Sequence, residues 1–224
     1  MEKEKLTQIE KEMQNNIKIA QYEKELAQKL KTNALIELKK AKARETLQKI
    51  EYDLAEIKKD LAIKRKLLAK EKTEIKKNQI LDFSDEELKI ENNYAVYNEQ
   101  ISKNQMEIAE VHKRIAIAEK EIAEQKIKLA KERLEVAKAR EKLANTQNKY
   151  IKVARVQAPE NKILNAQKNI ENQTKKLLKQ KNEVVDQEKD VRKKENKLAD
   201  LKKELSLKFA EREKIRHPKV IIAG

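Results

Sequence analysis

His112 and His217 are the only imidazoles in the chain, and it has no cysteine. A zinc site needs several Cys and His ligands converging on one point, and two histidines on separate predicted helices do not supply them. With no cysteine, disulfides and thiolate chemistry are excluded as well. Phosphate-cradling loops need glycine, and Gly224 is the only one. The 39 acidic residues are interleaved with 54 Lys and Arg, where ion pairs at i, i+4 are the ordinary outcome on a helix face. Catalysis asks instead for unlike groups meeting in a partly dry cleft. The expectation is a non-enzymatic protein: no catalytic residue, no cofactor-binding residue, no metal ligand, no cofactor and no small-molecule substrate.

What remains is charge. The net charge is +15 and comes mostly from lysine, which attracts anionic surfaces such as a membrane, a nucleic acid or an acidic protein. Single-strand binding favours aromatic platforms, of which there are five Tyr and two Phe. Base reading favours Arg over Lys. A nonspecific, salt-dependent nucleic-acid contact is therefore the weakest of the binding readings. No apolar run approaches the roughly 20 residues that span a bilayer, and MEKEKLTQIEKEM has no apolar core of a signal peptide. A soluble protein of the cytoplasm or periplasm is expected.

The elements that carry these charges are legible from one period. Between Glu107 and Ala144 the chain reads EIA, RIA, EIA, KLA, EVA, KLA, one tripeptide every seventh residue. Extended, this gives an apolar row Tyr94, Ile101, Ile108, Ile115, Ile122, Leu129, Val136, Leu143, Tyr150, with alanines directly after it from Ala109 to Ala144. A strict seven-residue repeat is a coiled-coil seam. With the first row at heptad position a, the alanines fall at b, where small side chains let a second neighbour come close. The first third repeats the scheme: Ile19, Leu26, Leu47, Leu54, Leu61 and Leu68 at a, with Asn33 and Lys40 as breaks, and Ala20, Ala27, Ala34, Ala41, Gln48, Ala55, Ala62 and Ala69 at b. Its d row holds Tyr22, Ile36, Ala43, Ile50 and Ile57, broken by Lys29, Lys64 and Glu71.

Ser84 followed by Glu87 predicts a capping box, with Phe83 and Leu88 as its hydrophobic staple. A turn at 81–84 would pair residues whose numbers add to about 165, a against d: Leu54 with Val111, Ile50 with Ile115, Ile57 with Ile108. The breaks would then meet, Asn33 against Glu132 and Lys40 against Gln125, as register-setting polar layers. Pro159 predicts a second turn, after which Ile163, Ile170, Leu177, Val184, Val191, Leu198 and Leu205 resume the seam. Gln173, Gln180 and Gln187 at d predict looser docking of that third helix. Helices are expected at about 2–80, 85–156 and 159–216, the longest about 115 Å, with the 217–224 tail a stub or disordered.

The fold expected is all-α: an elongated antiparallel coiled coil, three long helices running up, down and up in a single bundle over 1–216. The stretch KLANTQNKYIKVARVQAP resembles the end of the helical hairpin in periplasmic adaptor proteins of efflux and secretion systems. In that family a glycine-containing lipoyl domain follows the AP, whereas ENKILNAQKN continues here as helix, so the rest of that architecture is not implied. Three long antiparallel helices with a basic balance are also similar in architecture to BAR domains, which bend membranes. The function expected is a rod-like scaffold or assembly subunit with protein partners, a homo-oligomer included. A basic BAR-like module for anionic membranes is the alternative, and a nonspecific nucleic-acid binder the third reading.

Overall fold

The computed structural model describes residues 2–77 and 84–216. They form three helices, α1 Glu2–Lys77, α2 Asp85–Arg155 and α3 Glu160–Arg216. The fold is an all-α three-helix bundle, with α1 packed on α2 and α2 on α3. The expected ends of α2 and α3 fall within a residue of those observed. The stretch at 78–83, with Phe83 of the expected staple, and the 217–224 tail, with His217, lie outside the described residues.

The start of α2 is set as its sequence predicts. The Glu87 backbone N–H donates to Ser84 Oγ at 3.1 Å, and the Glu87 carboxylate accepts from the Ser84 backbone N–H at 3.2 Å and its hydroxyl at 2.8 Å. This reciprocal pairing satisfies N–H groups that a helix start otherwise leaves without partners. The hydroxyl first, then the N–H, hold the Glu87 carboxyl below its ordinary range.

Pro159 marks a turn, not a kink. The Ala158 N–H reaches back to the Val153 carbonyl and the Gln157 N–H to the Ala154 carbonyl, both at 3.2 Å. Gln157 has φ 49°. This is the Schellman closure, in which one left-handed residue ends the helix. Glycine usually takes that place, but here glutamine does. The Pro159 carbonyl then accepts the first bonds of α3, from Lys162 at 2.9 Å and Ile163 at 3.3 Å.

Contacts divide the chain into two units, Met1–Lys39 with Glu121–Glu195 and Lys40–Lys120 with Asn196–Gly224. In each, the α1–α2 register is the expected one, with facing residue numbers adding to about 164. In the first unit Glu23 pairs with Arg140 at 2.9 Å, Asn16 with Gln147 at 3.0 Å, and Glu10 with Arg155. In the second, Lys72 pairs with Glu91 at 2.7 Å, Lys66 with Glu99 at 2.5 Å, Arg44 with Glu119 at 2.8 Å and Lys120 with Glu45 at 2.9 Å.

The face that α1 turns to α2 differs from the expectation. The buried row is the alanine row: Ala20, Ala27, Ala34, Ala41, Ala55, Ala62 and Ala69 are all at most 8% exposed. In the observed register Ala27 falls opposite Ala137 and Ala20 opposite Ala144 in the first unit, and Ala55 opposite Ala109 in the second, with both partners buried throughout. The large residues expected in this seam stay outside, Ile50 at 61% and Ile57 at 65% exposed. Two residues along a helix is a rotation of roughly 200°, so the d row points away from the alanines. Asn33 and Lys40 are exposed too, and the expected polar layers with Glu132 and Gln125 do not form.

The reason lies in the interruptions. A leucine seam on α1 would bury Lys29 and Lys64 against apolar partners and Lys40 beside Gln125, at the cost of desolvating each ammonium. The alanine row has one break, Gln48, whose Oε1 is buried without a partner. Small residues on both helices also let the backbones approach and multiply dispersion contacts.

The a and d edge of α2 goes to α3. In the second unit Val111, Ile115 and Ala118 pack with Leu201, flanked by Leu198 and Leu205. In the first, Val136, Ala139 and Leu143 pack with Leu177, flanked by Ile170 and Val184. The polar break Gln125 meets Gln187 of α3 at 2.6 Å. Ile115 thus has Leu201, and not Ile50, in its cluster.

Candidate functional site

Among the described residues, α1, α2 and α3 together line a groove in each unit, beside exposed apolar residues. In the first unit Leu26 of α1, Val136 of α2, and Val184 and Val185 of α3 line a groove of about 380 Å³. Its rim carries Glu23, Arg133, Lys181 and Glu188. Most of that charge is spoken for. Arg133 binds Glu188 at 2.6 Å, and Arg140 holds Glu23 through two nitrogens, at 2.9 and 3.0 Å, while also donating to Asn16. Fork-shaped pairs of this kind fix geometry as well as charge.

In the second unit Leu54 and Ala55 of α1, Ile108 and Ala109 of α2, and Phe209 of α3 line a groove of about 340 Å³. His112 is half-buried here, edge-on to the Phe209 ring with centroids 6.1 Å apart. It lies outside the a, b and d rows of α2, so only the α3 register, which brings Phe209 alongside, could have revealed this. Arg212 on the same rim has its Nε buried without a partner. The neighbouring Lys113 sets its ammonium over the Tyr52 ring of α1, 4.5 Å from its centroid.

The strongest local electrostatics belong to Glu99 and Lys208. Glu99 is 8% exposed and lies between Lys103 at 2.7 Å and Lys66 at 2.5 Å. Hydrogen bonds from Lys103 first, then Lys66, outweigh its burial and hold its carboxyl at about 2. Glu107 and then Glu211 hold the Lys208 ammonium well above the ordinary lysine range. Among the described residues no three His, Cys, Asp or Glu side chains gather as a metal set would. Both groups therefore read as structural ion pairs.

The depressed Glu99 value carries a pH consequence. An unfolded glutamate titrates near 4.3, so the native state's advantage is present above about that pH and is lost as pH falls towards 2. Urea midpoints are expected to drop across that window, and Glu99→Gln should flatten part of the drop. An unchanged slope in the variant would remove Glu99 from the account.

No protein-family model, curated protein or solved structure matches the chain. The functional reading therefore rests on the residues alone. No helix among the described residues is long and apolar enough to cross a membrane.

Proposed function

We propose that this chain is a non-enzymatic scaffold or assembly subunit, a rod-like helical element that presents a defined surface to protein partners. One observation carries the reading. Polar pairs between α1 and α2, all but one of them ion pairs, recur along each unit at one constant register, from Glu10–Arg155 through the amide pair Asn16–Gln147 to Glu23–Arg140 in the first, and from Arg44–Glu119 to Lys72–Glu91 in the second. Side chains committed in this way hold helices of 76 and 71 residues in place and leave surface, not chemistry, as their product. A helix of 76 residues runs on the order of 115 Å. Small-angle scattering is expected to give a longest dimension of about 100 Å or more, and a compact particle would end the reading.

A second reading, a basic module for anionic membranes, is supported by the net charge of +15. It expects the chain to pellet with acidic vesicles and to be released as salt rises. Absence of pelleting at low salt removes it.

A further inference from the structure

We propose that the Leu47–Leu68 face of α1 binds the same segment of a second copy of this chain, parallel and in register. The proposal rests on the scaffold reading and names its partner.

The first observation is a coiled-coil row that the described residues leave about half exposed along its length. Leu47, Ile50, Leu54, Ile57 and Leu61 are spaced three and four apart, and Leu68 follows one heptad on, past Lys64, yet each of the six is between 48% and 65% exposed. Such spacing is wasted on a flat or irregular surface, because only another helix offers holes at that repeat. α2 occupies the opposite side of α1, at Ala55, Ala62 and Ala69, so it does not block approach to the seam.

Area points to a copy of comparable size. The six side chains expose roughly 600 Å² between them, at the upper end of the largest apolar patch on an ordinary monomer. Two copies could bury up to about 1,200 Å² from these residues alone, the area at which stable interfaces begin.

Charge selects both the occupant and its direction. In a parallel pair each g position faces the e position five residues on in the other strand. Asp53 then meets Lys58 of the second copy, and Asp60 meets its Arg65, four opposite-charge contacts by symmetry. All four side chains are exposed in the single chain. The antiparallel arrangement that best covers the run sets Asp53 against Asp60 and is disfavoured. Asp53 and Asp60 on one border and Lys58 and Arg65 on the other cancel, so the stripe matches a second copy of itself better than a uniformly anionic bilayer. Lys64 is the one polar d residue, and its ammonium reaches solvent along its own stem. Leu at a with Ile at d favours more than two strands in free coiled coils, and a larger parallel ring would use the same contacts.

The test is sedimentation equilibrium of the full chain at tens of micromolar in physiological salt. A mass of two or more chains is expected. Ile50→Lys with Ile57→Lys should weaken association at least about a hundredfold, with the helical circular dichroism unchanged because both residues are outside the α1–α2 seam. Ile57→Cys, in a chain with no other cysteine, should oxidise to a 57–57 cross-link. Asp53→Lys with Asp60→Lys should weaken association, as should Lys58→Asp with Arg65→Asp, and mixing the two variants should restore it.

A monomer at every concentration overturns the proposal. So does association that ignores positions 50 and 57, failure of the Cys variant to cross-link, or a stripe that serves only to pellet the chain with acidic vesicles. A monomer whose scattering remains extended leaves the scaffold reading standing, whereas a compact particle removes that reading whatever the mass.

Discussion

Replacing Ala27 by Leu is expected to cost about 3 kcal/mol of folding stability, near the top of the range for overpacked cores. Ala27 is 2% exposed, and in the α1–α2 register it falls opposite Ala137, also 2% exposed. A leucine there has nowhere to go, so the two backbones must separate. The Glu23–Arg140 pair one turn along, with its 2.9 Å contact, would lengthen with them. By contrast, Leu54→Ala removes a larger side chain that is 48% exposed and is expected to cost less than about 1 kcal/mol in the single chain. The usual ranking, in which trimming a leucine hurts more than enlarging an alanine, is thus reversed along α1. Urea denaturation of the two variants, at a concentration where the chain is monomeric, checks it. A neutral Ala27→Leu would mean that α1 meets α2 by some other face.

This reversal marks the limit of what was legible in the residues. The hairpin register was readable, because a capping box at Ser84–Glu87 locates one end and a heptad repeat leaves few ways to pair two strands. Which edge of each helix fills the seam was not readable from hydrophobicity. Ile50 and Ile115 have equal apolar weight and complementary places in the expected pairing, yet one is 61% exposed and the other 9%. The deciding feature was the regularity of each row. Lys29, Lys40 and Lys64 interrupt the leucine and isoleucine rows of α1, while the alanine row runs on with only Gln48 out of place. Small residues score weakly on any apolar scale, but their burial depends on how closely two backbones can approach.

The second turn follows the same logic. Pro159 announced a break, but no glycine precedes it, so the left-handed residue at Gln157, φ 49°, carried no local signal. The groove at His112 was hidden for a different reason. Phe209 reaches it from α3, and nothing in the spacing along α2 encodes a residue that distant in sequence.

The partner of α2's heptad edge yields the sharpest remaining expectation. Leu201 is 5% exposed and shares a cluster with Val111, Ile115 and Ala118. Leu201→Ala leaves a cavity between α2 and α3 and is expected to cost about 3 kcal/mol. The magnitude alone does not identify the partner, since any buried leucine would give it, but coupling does. Residues in one cluster lose the same contact twice, so Ile115→Ala and Leu201→Ala together should cost less than the sum of the two by about 1 kcal/mol. Ile115→Ala with Ile50→Ala should be additive within about 0.5 kcal/mol, the behaviour of sites that share no partner. Coupling at Ile50 in place of Leu201 would return the a and d edge of α2 to α1. The alanine rows would then have no seam to form, and the Leu47–Leu68 face of α1 would no longer be free for a second chain.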